Sequence, residues 1–139
     1  RYTHGHVFDF VKQLKKNKNL LFVLGDGNQK KSYLDINDCI EGIFKGMKYF
    51  DKKINIINLG TNKYINVKKS IKNICEILKL KPKIIYKGGK RGWIGDNPFI
   101  LLDTKKIRSI GWKPKYTIEK SVKVTTKYLI KNQWLLKKS

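Results

Sequence analysis

Apolar residues recur at helical spacing in four stretches of the chain, and this spacing predicts four amphipathic helices. Asp35 or Asn37 can cap the second helix, Asn66 the third and Thr117 the fourth. The predicted apolar faces, in chain order, are Val7, Phe10, Val11 and Leu14; Ile40, Ile43, Phe44 and Met47; Val67, Ile71, Ile74 and Leu78; and Val122, Thr125 and Leu129.

Short apolar runs between these helices predict strands. One run covers residues 20–24 and leads into a turn at residues 25–28, after which residues 31–34 can continue extended. This stretch favours a glycine-rich hairpin turn. Two further strands are predicted at residues 54–59 and Lys83–Tyr86.

A glycine-rich loop at residues 87–98 precedes a brief helix that Asp103 can cap and that stops at Gly111. About five helices therefore alternate with few strands, which predicts an α/β fold with an incomplete Rossmann sheet. We expect Trp93 and Trp112 to be packing residues.

The composition changes this picture little. The chain has 139 residues, enough for one domain that covers 1–139, and a formal net charge of +22. Such a charge suits a small basic nucleic-acid-binding module, which stays open as the alternative function. However, the chain is rich in Lys, Ile and Asn and contains no Ala, as an A/T-rich coding sequence produces. Its lysines occur in every segment instead of clustering, so base composition explains the charge better.

The sequence also bears on the compartment. No apolar run approaches the roughly 18 residues of a membrane span, and the start has no signal-peptide pattern. Cys39 and Cys75 each lie in an apolar helical pattern, which favours two reduced thiols. We therefore expect a cytoplasmic protein that binds no membrane. The chain opens at Arg1 without an initiator Met, which suggests a piece of a longer protein.

Motifs for chemistry are absent or weak. An NAD-binding turn needs a strand, G-x-G-x-x-G and then a helix, whereas the match at Gly25 lacks the third glycine and leads into an extended segment. Four tyrosines have a lysine four residues later, but each begins outside the middle of a predicted helix. His4 and His6 have no carboxylate or thiol nearby. We predict no catalytic, cofactor-binding or metal-ligating residue in this chain.

Three segments carry specific information. They read LFVLGDGNQKKSYLDIND at residues 21–38, INLGT at 57–61, and RGWIGD at 91–96 followed by DTKK at 103–106 and IGWKP at 110–114. In order and spacing they resemble the carboxyl-terminal part of the NAD-dependent epimerase/dehydratase family, the extended short-chain dehydrogenases, and within it the UDP-glucose 4-epimerase-like enzymes. The resemblance covers nearly the whole chain.

The resemblance implies that phosphate and ribose are held from two places. Arg91 matches the family arginine that contacts the diphosphate, whose oxygens a guanidinium can hold in pairs. Asp96 matches the acidic residue near the ribose. Lys31 stands where the family commonly has a second arginine, and Ser32 replaces the usual Asp. Lysine keeps the charge but loses the bidentate geometry, so we expect weaker diphosphate affinity.

The resemblance places three more residues near the nucleotide. Phe22 and Leu24 lie on the strand that borders the base, with backbone groups free to read a uracil edge. His6 falls near the helix start that flanks the nucleotide. The alternatives that stay open are a solvated loop residue for Arg91, a turn former for Asp96 and a core residue for Phe22.

The rest of the function would lie outside this chain. In the family, an amino-terminal Rossmann half holds NAD and the catalytic residues, while the carboxyl-terminal part grips a nucleoside-diphosphate sugar. The chain alone would therefore bind substrate without NAD and be inactive. The family's counterparts of residues 38–49 and 54–59 pack onto the Rossmann half, so we expect this chain to expose apolar surface and to self-associate.

Overall fold

The computed structural model describes residues 5–50, 53–89 and 99–137. The elements of these ranges are, in chain order, α1 (His6–Lys16), β1 (Leu20–Val23), β2 (Lys30–Lys31), α2 (Ile36–Tyr49), β3 (Ile65–Asn66), α3 (Val67–Leu78), β4 (Lys83–Tyr86), α4 (Lys105–Ser109), α5 (Ile118–Lys131) and α6 (Trp134–Lys137). The α/β class and the incomplete sheet are confirmed, and the short α6 was not predicted.

The core lies between α1, α3, α5 and the β1–β4 pair. The predicted faces of α1 and α3 are confirmed, because their apolar residues belong to this core or pack against it. In α5 the prediction of Thr125 was wrong: that residue is exposed and Thr126 is fully buried. The Thr126 hydroxyl donates to the Val122 carbonyl at 2.8 Å, so its polar group is satisfied inside the core.

The strands form two separate pairs. β1 runs parallel to β4, with Leu20 opposite Lys83, and β2 runs antiparallel to β3, with Lys31 opposite Ile65. The predicted hairpin was therefore wrong, since β1 and β2 do not pair. The Gly27 carbonyl accepts the N–H of Lys68 at 3.0 Å, so the turn packs beside the start of α3 and the chain continues into β2 without returning along β1.

The predicted strand at residues 54–59 was also wrong. The structure assigns no strand between residues 53 and 64, and Ile54 and Ile56 are 78% and 80% exposed. The Ile56 carbonyl accepts from Lys106 Nζ at 3.0 Å and the Asn58 amide donates to the Asp103 carbonyl at 3.1 Å. Contacts of this kind hold the segment in place, and no described strand lies beside it.

Helix α2 is turned so that its apolar residues face outward. Asp35 caps it, as predicted, by accepting the Asn37 N–H at 3.0 Å. Its buried positions are Asp38, Gly42 and Gly46, one turn apart from each other. The predicted buried face was wrong, because Ile40, Ile43, Phe44 and Met47 are between 45% and 72% exposed. Helix α2 therefore packs against the rest of the chain through Asp38 and its two glycines.

The glycines of α2 explain this orientation. A Cβ on Gly42 would lie 2.7 Å from Leu59 Cδ2 and 3.0 Å from the indole of Trp112, and one on Gly46 would lie 2.9 Å from Ile57 Cδ1. These side chains therefore reach the helix only where no Cβ stands. The prediction of Trp112 as a packing residue is confirmed, since it is 2% exposed.

Asp38 fixes α2 to the segment before α5. Its carboxylate, 1% exposed, accepts the backbone N–H groups of Lys115 and Tyr116, both at 3.0 Å. The Trp112 indole N–H donates to the Asp38 carbonyl at 3.2 Å. A buried carboxylate is thus paired with backbone donors, which offsets its desolvation.

Smaller expectations met mixed outcomes. Both cysteines are free thiols. The Asp103 carboxylate accepts the Lys105 N–H at 2.9 Å, but Thr104 holds the cap position of α4, so the predicted cap was one residue early. None of the helices described is long and apolar enough to cross a membrane.

Candidate functional site

His6 opens α1 and ties that helix to two other parts of the chain. Its Nδ1 lies 2.8 Å from the Tyr33 hydroxyl, and its Nε2 lies 2.6 Å from the Ser70 hydroxyl on α3. Its ring is nearly parallel to that of Tyr33, at 14° with centroids 4.9 Å apart, and meets Phe10 edge-on. Both ring nitrogens are therefore engaged.

The surroundings of His6 keep it neutral. Burial and then the positive charge of Lys31 lower the pKa of His6 from its ordinary 6.5 to about 4. At neutral pH one ring nitrogen therefore donates and the other accepts, and each hydroxyl can serve either need by rotating. Tyr33, which is bonded to His6 and stacked on its ring, lies two residues after Lys31, so the segment that carries the lysine runs past the start of α1.

Lys31 is a half-buried residue of β2, on the face of the ladder that also holds Ile65. The next residue, Ser32, donates its hydroxyl to the Thr61 carbonyl at 3.4 Å. The serine therefore contacts the motif at residues 57–61 by donating a hydrogen bond. An aspartate carboxylate in its place could not donate one. The structure thus brings together His6 and Lys31, two of the six predicted site residues.

The free edge of β1 differs from the prediction. The Phe22 N–H donates to Gln13 Oε1 at 3.1 Å, and Gln13 Nε2 donates to the Phe22 carbonyl at 3.2 Å. The Leu24 carbonyl accepts Gln29 Nε2 at 3.1 Å. The prediction that these backbone groups are free to read a base was therefore wrong for both Phe22 groups, and the Leu24 carbonyl already has one donor. The side-chain amide of Gln13 bonds the N–H and the carbonyl of Phe22 in the way that the backbone of a neighbouring strand would.

The side chains of Phe22 and Leu24 point to solvent instead. Phe22 is 44% exposed and Leu24 is 52% exposed, so the alternative of Phe22 as a core residue was wrong as well. Alternation along β1 buries Leu21 and Val23 and leaves the other two outside. Phe22 and Leu24 therefore form an exposed apolar surface beside the edge of β1 that is bonded to Gln13.

Arg91 and Asp96 lie outside the described residues, and so does Trp93. The residues on either side of the gap are described. Before it, the Gly88 N–H donates to the Gly25 carbonyl at 3.2 Å. After it, Phe99 meets the ring of Tyr64 with centroids 5.3 Å apart, and the Lys30 ammonium lies 4.7 Å above the Tyr64 ring. The flank before the gap thus contacts the glycine turn, and the flank after it lies beside Tyr64 and Lys30.

Sequence reasoning missed Gln13, Tyr33 and Ser70. Gln13 lies seven residues after His6, which places the two on one face of α1 about 10 Å apart along its axis. Tyr33 lies inside the quoted motif, two residues after Lys31, and that spacing is a weak signal for a shared site. Ser70 lies 64 residues from His6, and nothing in the local pattern links the two.

A second feature is the outward face of α2, which we define as Ile40, Ile43, Phe44 and Met47 together with Ile54 and Ile56. A groove of about 420 Å³ between α2 and residues 55–59 lies next to it and is lined by apolar side chains such as Leu59 and Phe50. This surface is unusually apolar for a chain with 30% charged residues.

Proteins of known structure that share this fold include nucleotide-sugar epimerases and dehydratases. No family model matches the chain. A UDP-galactose 4-epimerase of known structure superposes with a TM-score of 0.78 and 30% identity, over 96% of this chain and 43% of that one. A dTDP-glucose 4,6-dehydratase from Bacillus anthracis, solved in complex with NAD, has the same fold, with a TM-score of 0.78 and 21% identity over 99% and 42%.

Among curated proteins, the UDP-glucuronate 4-epimerase of Thermodesulfobacterium geofontis is 29% identical over 136 residues. That match covers 94% of this chain but 39% of the relative. The chain therefore spans about two fifths of the length of each of these three proteins.

Proposed function

Because the chain belongs to the NAD-dependent epimerase/dehydratase family, the extended short-chain dehydrogenases, we propose that it holds the nucleoside diphosphate of a UDP-sugar substrate. For the whole protein we propose NAD-dependent epimerisation at C4 of the sugar, as in a UDP-glucose 4-epimerase. A match to two fifths of the relatives' length is the extent expected of a carboxyl-terminal substrate-binding part.

The observation that carries the proposal is the position of Lys31 beside the start of α1. The first turn of a helix presents unpaired N–H groups and the positive end of its dipole, and both favour an anion. In α1 the Asp9 carboxylate accepts one of these groups, the Gly5 N–H at 3.3 Å, so a diphosphate would use the N–H groups that follow. Lys31 adds an ammonium near this helix start, because Tyr33, two residues further on, is bonded to His6, whose ring is neutral at neutral pH. This combination suits a diphosphate.

Arg91 supplies the second cation in the proposal. The contacts of Gly88 with Gly25 and of Phe99 with Tyr64 support it, because one flank of the segment that carries Arg91 is held at the turn after β1 and the other at the residue before β3, which pairs with β2. Asp96, in the same segment, takes the ribose hydroxyls. A guanidinium and an ammonium together would balance the two charges of the diphosphate in a nucleotide sugar.

The base lies along β1 in this proposal. Gln13 occupies the backbone edge of Phe22, so the exposed side chains of Phe22 and Leu24 are assigned to pack against the base instead. His6 and Gln13, about 10 Å apart on α1, bracket a span comparable to that of a nucleoside diphosphate. The nucleotide would thus be fixed along one helix, and the sugar would keep the freedom to turn.

The hydride chemistry belongs to the rest of the protein in this proposal. NAD would accept and return a hydride there, and the described residues of this chain do not fit that cofactor. The Gly25–Gly27 turn leads into β2 and not into a helix, so it lacks the helix N-terminus that holds a pyrophosphate. This chain contributes the anchor for the substrate.

The outward face of α2 is assigned to the contact with the NAD-binding part. Its apolar residues lie opposite the glycines through which α2 packs on its own chain, so the helix has two packed sides once a partner is present. Without that part the chain would self-associate through this surface.

The test is calorimetric titration of the 139-residue chain with UDP-glucose. We expect Arg91→Ala to lower affinity about tenfold or more, because a charge-assisted hydrogen bond contributes about 1.5–3 kcal/mol. We expect Lys31→Ala to lower it as well, and Lys31→Arg to restore or raise it, since a guanidinium can bind two oxygens. Arg108→Ala removes an equal charge from α4 and serves as the matched control.

A random oligonucleotide at two salt concentrations tests the alternative. Tight binding that falls steeply with salt and ignores Arg91→Ala would favour a basic nucleic-acid-binding module. Absence of UDP-glucose binding at any concentration tested would refute the proposed function.

A further inference from the structure

His6 occupies an unusual position for a residue next to an anion site, because its ring cannot offer a nitrogen to a ligand without losing a contact. Tyr33 holds Nδ1 at 2.8 Å and Ser70 holds Nε2 at 2.6 Å. Phe10 packs edge-on against the ring. A ring held on three sides is fixed in place, so its effect on a ligand must act through a neighbour.

The neighbour is Lys31. The segment before α2 brings two titratable groups to the ring. The positive charge of Lys31 lowers the pKa of His6, and the phenol of Tyr33 is bonded to Nδ1. α3 contributes the uncharged Ser70 hydroxyl, and on α1 the Asp9 carboxylate lies one turn on, bonded to the Gly5 N–H at 3.3 Å. A cation beside a buried imidazole opposes its protonation, and an anion bound to that cation removes the opposition.

The hydrogen-bond partners allow the proton to enter without rearrangement. Both partners of His6 are hydroxyl groups, and each can accept when the ring nitrogen facing it donates. An imidazolium at this position would therefore keep both contacts. A backbone N–H in either place would have excluded that state.

We infer that His6 is a positioning residue of the proposed diphosphate site, fixed beside Lys31 by Tyr33 and Ser70, and that at mildly acidic pH it takes up a fraction of a proton from solvent when the diphosphate binds. The inference rests on the proposed function. Burial, the larger cause of the lowered pKa of His6, persists in the complex, so the affinity for a nucleotide sugar should be constant near neutral pH and rise as the pH falls toward about 4.

The experiment is titration of the 139-residue chain with UDP-glucose near pH 5 and near pH 7.5, in two buffers of different ionisation enthalpy. UDP-glucose is the probe because its diphosphate diester does not titrate between these values. We expect a fractional proton uptake per ligand near pH 5 and none near pH 7.5. We expect His6→Asn to bind without uptake, and His4→Gln, the matched change at the other histidine, to retain it.

Two further measurements separate positioning from folding. Ser70→Ala and Tyr33→Phe should each weaken binding a few-fold and alter the proton uptake, with melting temperatures recorded for each. In the unmodified chain, the imidazole signal of His6 followed by NMR should titrate at higher pH when UDP-glucose is saturating.

The outcomes distinguish the two proposals. Binding with no proton uptake near pH 5, or an uptake that survives His6→Asn, overturns the inference and leaves the proposed function standing. An unchanged His6 titration under saturating ligand also overturns it. Absence of UDP-glucose binding at both pH values overturns the proposed function and the inference with it.

Discussion

Replacing Asp38 tests how α2 is fixed to the rest of the chain. The carboxylate is 1% exposed and accepts two backbone N–H groups at 3.0 Å, from Lys115 and Tyr116. Asp38→Ala leaves both donors without their partner. Each unsatisfied donor costs about 1–3 kcal/mol, so the expected loss in the free energy of unfolding for the two donors is about 2–6 kcal/mol. Asp38→Asn keeps one acceptor and turns an amide N–H toward the other donor, so about 1.5–3 kcal/mol is expected.

The assay is urea unfolding followed by circular dichroism, with midpoint and slope fitted together. For a chain of this size a loss of 3 kcal/mol lowers the melting temperature by about 10 °C. Asp103→Ala is the control, because its exposed carboxylate also accepts one backbone N–H, that of Lys105. The control should change stability by about 1 kcal/mol or less. If the free energy of unfolding of Asp38→Asn is within about 0.5 kcal/mol of that of the original chain, with an unchanged slope, then Asp38 does not fix α2 to the segment before α5.

Three further predictions concern stability and self-association. The pKa of His6 falls from 6.5 to about 4 on folding, so the unfolded chain binds the proton more readily than the folded chain. About 3 kcal/mol of the free energy of unfolding should therefore be lost as the pH falls from 6.5 to 4. A His6→Asn variant that shows the same loss refutes this prediction. Phe44→Glu on the outward face of α2 should reduce self-association in analytical ultracentrifugation, whereas Tyr128→Glu, a comparably exposed aromatic on α5, should not; equal effects contradict the assignment of that face. Gly27 and Gly88 both have a positive φ, of 78° and 77°, so replacing either by alanine should lower the free energy of unfolding by about 1 kcal/mol through backbone strain. Only at Gly27 would the new Cβ also meet a tyrosine ring, that of Tyr86. Gly27→Ala should therefore have the lower melting temperature of the two variants.

Local patterns predicted the elements whose partners lie in the chain. The spacing of Phe10, Val11 and Leu14 predicted α1, and the side chain of Asn66 caps α3 as its position indicated. Both elements bury their apolar face in the core, so periodicity and burial agree. The same rule was wrong for α2, where periodicity found an apolar face and the packed face is built from Gly42 and Gly46. Glycines carry no hydrophobic signal, and only tertiary contacts reveal their use.

Strand pairing was the other limit. The run at residues 20–24 predicted β1, but nothing in it distinguishes an antiparallel neighbour through the glycine turn from the parallel partner β4. At the candidate site, Lys31 and His6 could be named from the resemblance, whereas Ser70 could not. That residue reaches His6 only because α3 packs beside α1, which is a property of the fold.

The parallel pairing of β1 with β4 has a consequence for how the chain acquires its structure. Leu20 meets Lys83 and Val23 meets Tyr86, so each pair closes a loop of about 60 residues. Closing a loop of that size delays a contact more than turns or helices do, and contacts distant in sequence slow the folding of small domains. During synthesis β1 stays without its partner until Tyr86 has left the ribosome. We expect α1 to form early and the β1–β4 ladder to set the rate of folding.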